Sequence, residues 1–330
     1  MVTVGLVGCG KVAEKHVQAY RAIGLEEVLV HDAAPERAAS FAAKWGTVAT
    51  TLEELLGNPR VAMLDVCVPT PSHKELIIRA LEAGKHVFSE KPLCETAEDA
   101  RVIYAKAEER RRMVGVGYPL RFFPALRFAK EVLDKGLLGK PHLAMLRIGG
   151  RGSAAPWKHL REGGGGATSE MLVHMLDLAV WLFGPLRQAQ VLYHDVLLPR
   201  RQIGGHLVDA DAEDVILVRL VGDGITVLCQ SDLCTPSYMH TLEVQGENGS
   251  LFTSLLDYLP TVLFSKQPVG DHPAGFTHRR FPPCNAFVSE LQEFIGRVSR
   301  PGGWNDTVNS LNVVRLFEDV RAQVNGRAPR

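Results

Sequence analysis

Two hydrophobic rhythms run along this chain. In the first third, short apolar runs alternate with amphipathic stretches. Val2 to Val7, Glu27 to His31, Met63 to Val68, Lys85 to Ser89 and Val114 to Gly117 read as strands. Between them, Val12 to Ala22, Pro35 to Trp45, Thr51 to Leu56, Ser72 to Ala83 and Ala97 to Arg111 read as helices. Strand and helix in strict alternation predict a parallel sheet covered on both faces.

After Gly117 the rhythm changes. A helix from about Pro124 to Lys135, closed by Gly136, leads into a strand near His142 to Ile148. A glycine-dense loop, Gly149 to Gly166, precedes a helix from about Ser169 to Phe183 that stops at Gly184-Pro185. From Gln188 to Phe264, runs separated by turn signals read as successive strands. Gly222-Asp223-Gly224, between Val215–Val221 and Ile225–Ser231, is a hairpin signal, and Gly246-Glu247-Asn248-Gly249 marks a further turn after Thr241 to Gln245. Helices from Ala286 to Val298 and Thr307 to Val324 close the chain, and no internal repeat is evident. The pattern predicts an α/β Rossmann domain with a parallel sheet over residues 1–118. An α+β domain with a mostly antiparallel sheet follows over 119–330, and 330 residues suffice for two cores.

Composition narrows the picture by exclusion. Lys+Arg and Asp+Glu balance at 37 each, with no long run of either sign, which argues against nucleic acid or a membrane surface as partner. Arg110-Arg111-Arg112 reads as a solvated helix face. No apolar segment reaches the ~20 residues of a membrane helix, and no signal-peptide pattern precedes the first strand. The six cysteines form no C-x-x-C pair; they read as buried free thiols in a reducing, cytoplasmic compartment.

The first strand runs into Gly8-Cys9-Gly10-Lys11-Val12-Ala13, a G-x-G-x-x-A turn that opens a helix. Gly8 permits the tight turn, Gly10 lets the backbone approach a pyrophosphate, and Ala13 allows close helix–strand contact. The amides at Lys11 and Val12 then face the phosphates. Asp32 ends the second strand, where an acid accepts hydrogen bonds from both ribose hydroxyls. A carboxylate there repels a 2′-phosphate, and Ala33 and Ala34 offer no side-chain donor, so NAD is favoured over NADP. Arg37 is the nearby cation that keeps NADP open.

Hydride transfer leaves an alcohol proton to be handled at the carboxyl edge of the sheet. Ser89-Glu90-Lys91-Pro92 ends a strand there, and the proline fixes a turn that presents Lys91 to the ligand crevice. A second cluster, Glu170-x-x-x-His174-x-x-Asp177, lies on a largely apolar helix, and spacings of four and three put all three on nearly one face. Ionisable groups on such a helix must pair or line a cavity. We assign His174 as proton donor and acceptor, Lys91 as stabiliser of the developing alkoxide, and Glu170 or Asp177 as the group orienting the imidazole. The competing reading is a Glu170–His174 ion pair. No second histidine at ligand spacing supports a metal, so none is expected.

These motifs together resemble the glucose–fructose oxidoreductase / inositol dehydrogenase / MocA family. The matching pieces, spread over nearly the whole chain, are Gly8 to Ala13, Asp65 to His73, Gly84 to Leu93, Gly117 to Phe122, Gly163 to Gly166 and Glu170 to Asp177. The resemblance implies an open-faced second sheet that often mediates homodimers or homotetramers. It also implies reversible oxidation of a secondary alcohol or hemiacetal carbon on a small polyhydroxylated substrate: a sugar, a cyclitol or a sugar-nucleotide. It carries a catalytic role to Lys91, Glu170 and His174, with Asp177 in the usual later acidic position. Pro69, Thr70, His73 and Glu90 fall where members approach the dinucleotide.

Departures from the family pattern, at Glu170 in place of Asp, at Leu172 and at Pro119, imply a different substrate pocket. Tyr118, Arg121 and Trp157 join Lys91, Glu170 and His174 as expected substrate contacts. Arg151, Lys158, His159 and Arg161 make a cationic loop that either recognises an anionic group or is simply solvated. Asp209, Asp211, Glu213 and Asp214 read as a polar turn. Rival functions are a dinucleotide-binding sensor without catalysis and a reductase of C=C, C=N or tetrapyrrole substrates.

Overall fold

The computed structural model describes residues 3–150, 152, 155–236, 239–256, 258–299 and 305–326. The chain forms two compact units, one from residues 1–122 and 285–314, the other from 123–284 and 315–330.

The first unit is a six-stranded sheet. Its strands are β1 (Thr3–Val7), β2 (Val28–His31), β3 (Val48–Ala49), β4 (Val61–Val66), β5 (His86–Ser89) and β6 (Val114–Val116), in the order β3-β2-β1-β4-β5-β6, and every pairing is parallel. The crossovers are α1 (Lys11–Ala22), α2 (Pro35–Trp45), α3 (Leu52–Gly57), α4 (His73–Glu82) and α5 (Ala97–Arg110). The reversal of strand order lies between β1 and β4, so the loops after these two strands flank the crevice where doubly wound sheets bind ligands. The helices start where the chain says they should: Thr51 forms a capping box with Glu54, and Thr96 caps α5 through the Asp99 amide. Only the two-residue β3 has no counterpart in the hydrophobic pattern, because both its residues are exposed.

By spatial packing the units differ from a division at residue 118. The first unit runs to Phe122 and then regains residues 285–314. The helix α8 (Ala286–Val298) packs on α1, with Leu291 and Phe294 inside the same core as Leu6, Val17, Met63 and Phe88. Phe294 lies 5.3 Å from Phe88, centroid to centroid, and a Cβ on Gly115 would stand 2.7 Å from its ring. Asn305 extends the edge strand: its Oδ1 accepts from the Val114 amide at 2.7 Å and its Nδ2 donates to the Arg112 carbonyl. An amphipathic helix announces that it covers a sheet but not which one, so the sequence pattern could not assign α8.

The second unit opens with α6 (Pro124–Asp134) and β7 (Pro141–Gly149), followed by α7 (Val173–Phe183). Its later strands are β8 (Gln188–Asp195), the hairpin β9 (Arg200–Ile203) with β10 (His206–Asp209), β11 (Val215–Val221), β12 (Thr226–Asp232), β13 (Met239–Gly246), β14 (Gly249–Ser254), β15 (Thr261–Ser265) and β16 (Gly275–Arg279). The terminal helix α9 (Thr307–Val324) contributes its second half here. Eight strands form the sheet β16-β15-β14-β13-β7-β12-β11-β8, antiparallel at every pairing except β7–β12. The predicted Asp-Gly hairpin joins β11 to β12, with Gly224 at φ 76°. Ala144, Leu146 and Ile148 of β7 are buried, and α6 and α7 pack on the sheet. The opposite face is open: Leu228, Met145, Glu243, Phe252 and Val262 stand side by side across β12, β7, β13, β14 and β15.

No helix among the described residues is long and apolar enough to cross a membrane. All six cysteines are free thiols.

Truncating Phe294→Ala removes a ring from the core of the first unit and is expected to cost about 3–5 kcal/mol. Urea denaturation checks it; a loss well under ~1 kcal/mol would take α8 out of that core.

Candidate active site

The dinucleotide end of the first unit is built on backbone geometry. Gly8 has φ 97°, donates its N–H to the His31 carbonyl, and would bring a Cβ to 2.6 Å from the Cys67 carbonyl oxygen. Only glycine serves there. Gly10 is the N-cap of α1; no side chain caps that helix, and a Cβ on Gly10 would meet nothing within 4 Å. Ala13 is fully buried against the sheet, while Lys11 is exposed and Val12 half-buried. Asp32 is buried at 8 % exposure: its Oδ2 accepts from the Cys9 amide at 2.9 Å and its Oδ1 from the Ala34 amide at 3.0 Å. Each carboxylate oxygen keeps a second acceptor site for a ribose hydroxyl. The exposed Arg37 guanidinium lies 3.9 Å from Asp32 Oδ2. Open ground above Gly10, an uncapped helix start and an anchored carboxylate fit a dinucleotide.

The Lys91 turn lies at the carboxyl ends of β4 and β5. The Glu90 amide donates to the Val66 carbonyl, the Lys91 amide donates to Glu90 Oε2 at 3.2 Å, and the Lys91–Pro92 peptide is cis. Lys91 is half-buried. Pro69 is exposed and Thr70 half-buried in the short turn after β4. His73 is different: its ring is buried, with Nδ1 2.9 Å from the Pro92 carbonyl and Nε2 2.8 Å from the Val68 carbonyl. Burial holds its pKa below the ordinary histidine range, against the pull of those carbonyls. The imidazole therefore ties the loop after β4 to the Lys91–Pro92 turn.

Beneath this turn lies a buried polar cluster that the motifs did not single out. His16 of α1 is fully buried, with Nδ1 2.9 Å from Asp65 Oδ2 and Nε2 3.2 Å from Glu90 Oε1. The second approach is a close ion pair more than an aligned hydrogen bond. Tyr20 donates to the same Asp65 oxygen at 2.7 Å, and Cys67 Sγ lies 3.4 Å from both His16 Nδ1 and Asp65 Oδ1. Burial and then Asp65 push the Tyr20 hydroxyl and the Cys67 thiol well up, so both keep their protons. Burial alone would pull His16 down, but Asp65 and Cys67 outweigh it and hold the imidazole well above its ordinary value. His16, Asp65 and Cys67 have metal-ligand chemistry. Yet Nδ1 and Oδ2 at 2.9 Å share a proton, closer than the roughly 3.4 Å that separates neighbouring ligands of a tetrahedral zinc. The signal was present in the sequence: an acid centred in an apolar strand, and a histidine and tyrosine at i, i+4 on the facing helix.

At the end of the first unit, Tyr118 is buried and its amide donates to Glu290 Oε1 at 2.5 Å. Arg121 pairs with Asp306 at 3.3 Å and stacks 5.9 Å from the Tyr118 ring.

In the second unit the Glu170–His174–Asp177 helix does not begin as an α-helix. Thr168–Leu172 forms a π-turn and α7 starts only at Val173, so Glu170 is set off from the even α-helical face that the spacing predicted. Single π-turns of this kind recur at functional sites. Glu170 and His174 are half-buried and Asp177 is fully buried. Glu170 accepts from Lys158 Nζ at 2.6 Å, so a lysine of the preceding cationic loop is the acid's partner. Lys158 also stands 5.3 Å over the ring of Trp157, which is 43 % exposed. Arg161 donates to the Asp211 carbonyl through Nε and receives Asp211 Oδ1 on its amide. His159 is buried, near Arg201 at 3.5 Å, and Arg151 lies outside the described residues.

The supposed polar turn turns out to be structural at two of its four acids. Glu213 and Asp214 are 3 % and 1 % exposed. Glu213 accepts from the Thr168 amide at 3.0 Å, and Gly166, at φ 100°, leaves room for that carboxylate. Asp214 accepts from the Leu197 and Leu198 amides and pairs with Arg201 at 2.5 Å.

Residues 2–118 match the model of an oxidoreductase family with an NAD-binding Rossmann fold, and residues 126–252 match the GFO/IDH/MocA C-terminal domain. The chain belongs to this family. It is an NAD-dependent dehydrogenase. The inositol 2-dehydrogenase of Acidothermus cellulolyticus is 30% identical over 97% of this chain and 93% of its own. A crystal structure of an NAD-binding oxidoreductase from Klebsiella pneumoniae superimposes with a TM-score of 0.84 at 20% identity, over 98% of this chain and 97% of that one. Levoglucosan dehydrogenase, in complex with NADH and levoglucosan, shares the fold with a TM-score of 0.74 at 21% identity, covering 99% and 91% of the two chains.

Asp32→Ala takes away the carboxylate expected to meet the ribose and the anchor of the Cys9 amide. With charged hydrogen bonds worth about 1.5–3 kcal/mol, NAD affinity should drop ~10- to 150-fold, and NADP affinity by less. Calorimetric titration with both cofactors is the check; equal losses would remove Asp32 from the discrimination.

Proposed function

We propose that this dehydrogenase oxidises a secondary alcohol, reversibly, on a neutral polyhydroxylated ring such as a cyclitol or sugar. The observation that carries the reading is the Lys91 turn: a half-buried lysine at the carboxyl ends of β4 and β5, held by its own Glu90 and by His73. The likeness to an inositol 2-dehydrogenase over nearly the full length of both chains supports the substrate class. Bound NAD supplies the hydride acceptor. The protein's part is to place the carbinol and to handle its proton. The Lys91 ammonium would donate to the carbinol oxygen and stabilise it as negative charge develops. The His174 imidazole would take the hydroxyl proton and return it in the reverse direction. Glu170, fixed by Lys158, and the buried Asp177 would keep that helix turn polarised for the task.

Unpaired thiols throughout support a reducing, cytoplasmic setting. The open sheet face, with Phe252 and Phe276 at 36 % and 71 % exposure, supports assembly of a homodimer or homotetramer through the second unit.

NADH formation over a panel of cyclitols, aldoses and sugar-nucleotides tests the class. Turnover on a ring polyol is expected, and a panel with no oxidised member overturns the reading in favour of a sensor or of C=C or C=N reduction. Lys91→Ala and His174→Ala should each lower kcat by about 10²–10⁴-fold while NAD still binds. Retained turnover in either variant removes that residue from the chemistry.

A further inference from the structure

We propose that His16 is a positioning residue for Lys91: a buried cation clamped between Asp65 and Glu90 that locks the Glu90–Lys91 turn to the dinucleotide-binding helix. This rests on the reading that Lys91 acts on the alcohol. The geometry is that of a bridge. His16 Nδ1 meets Asp65 Oδ2 at 2.9 Å on one side, and Nε2 meets Glu90 Oε1 at 3.2 Å on the other. Glu90 in turn accepts the Lys91 amide on its second oxygen, and Gly117 packs against its first, where a Cβ would stand at 3.1 Å.

The surroundings leave the imidazole no solvent. Phe88 of β5 lies edge-on at 5.7 Å and Phe287 of α8 at the same distance. The ionisable groups facing it are Asp65 from β4, Cys67 just after that strand, Glu90 from the turn and Tyr20 from α1. Glu290 of α8 acts on Tyr20, and Lys15 lies over Phe287. Two carboxylates on one buried ring repel unless the ring is positive, and a ring protonated on both nitrogens donates from Nδ1 to Asp65 while its charge at Nε2 pairs with Glu90. Burial works against that charge, but Asp65 and Cys67 prevail. The helix whose first turn carries Gly10 and Lys11 is thereby joined, through one side chain, to the backbone of Lys91.

Nitrogen NMR of ¹⁵N-histidine-labelled holoenzyme reads the charge directly. Both His16 nitrogens should remain protonated at about pH 8, far above the ordinary histidine pKa of ~6.5; a neutral ring there overturns the proposal, whether or not any variant folds. His16→Gln keeps a hydrogen-bonding side chain but loses the charge. It should lower kcat about tenfold or more on the polyol the enzyme turns over, as expected for a misplaced catalytic group, with a smaller loss in NAD affinity because Tyr20 still holds α1 over Asp65. The alkaline limb of the kcat profile, assigned to Lys91 under the same reading, should also move up, because the positive charge paired with Glu90 beside it is gone. A purely structural histidine would not move that limb, and an unmoved limb with unchanged kcat overturns the proposal. Full activity of Lys91→Ala would instead defeat the underlying reading of Lys91; an inactive Lys91→Ala beside an unaffected His16→Gln defeats this inference alone.

Discussion

A carboxylate buried in the middle of a parallel sheet sets the terms for the first unit. Asp65 sits in β4 beside Leu6 of β1 and Phe88 of β5, with no exposure. Taking an ion out of water costs several kcal/mol unless its lone pairs are filled. Here Tyr20, His16 and Cys67 fill them. Two of those three come from α1, one turn apart, so the helix can dock on β4 only in the register that puts both over the acid. The start of α1, with Gly10 at its N-cap, inherits that register. Packing of Val17, Ala13 and Ala19 supplies the hydrophobic part, but apolar contacts alone tolerate sliding in a way that a buried charge does not.

How far this was legible depends on what kind of signal each residue leaves. Gly8 and Ala13 were readable because backbone conformation and close helix–strand packing force particular residue types at fixed spacing. The alternation of strands and helices was equally plain, down to the bounds of α8 and α9. What pattern could not tell was destination. Leu291 and Phe294 mark the inner face of α8 without saying whose core they enter, and the answer, the first unit, depends on Gly115 vacating space for a ring. His16 was hidden for a related reason: on an amphipathic helix a histidine passes as a surface residue. Only the oddity of Asp65 in so apolar a strand hinted that it had an inward task.

Periodicity also fails where the helix itself departs from 3.6 residues per turn. Glu170 and His174 are four apart, and an even α-helix would align them. The π-turn over Thr168–Leu172 changes that alignment. Its cause lies in tertiary contacts, since Glu213 holds the Thr168 amide by its carboxylate and the Ala167 amide by its carbonyl. Glu213 and Asp214 were read as a solvated turn because four acids within six residues look that way; their burial follows from amides and an arginine supplied by distant segments. Sequence spacing registers the acids but not the donors that make them affordable.

The charge pairing within each unit bears on the substrate. A cationic loop that waits for an anion should present unengaged cations, and its Lys158 and Arg161 are engaged. Lys158 is on Glu170, Arg161 on Asp211, and in the first unit Arg121 is on Asp306. At Lys158 a carboxylate or phosphate substrate would have to displace the Glu170 carboxylate, exchanging one ion pair for another with little net gain. A neutral polyol faces no such competition. Its hydroxyls both donate and accept, so paired lysine and glutamate can receive it with their pairing intact, each still offering a hydrogen-bonding site. The Lys158–Glu170 pairing thus supports the proposed neutral sugar or cyclitol over an anionic relative.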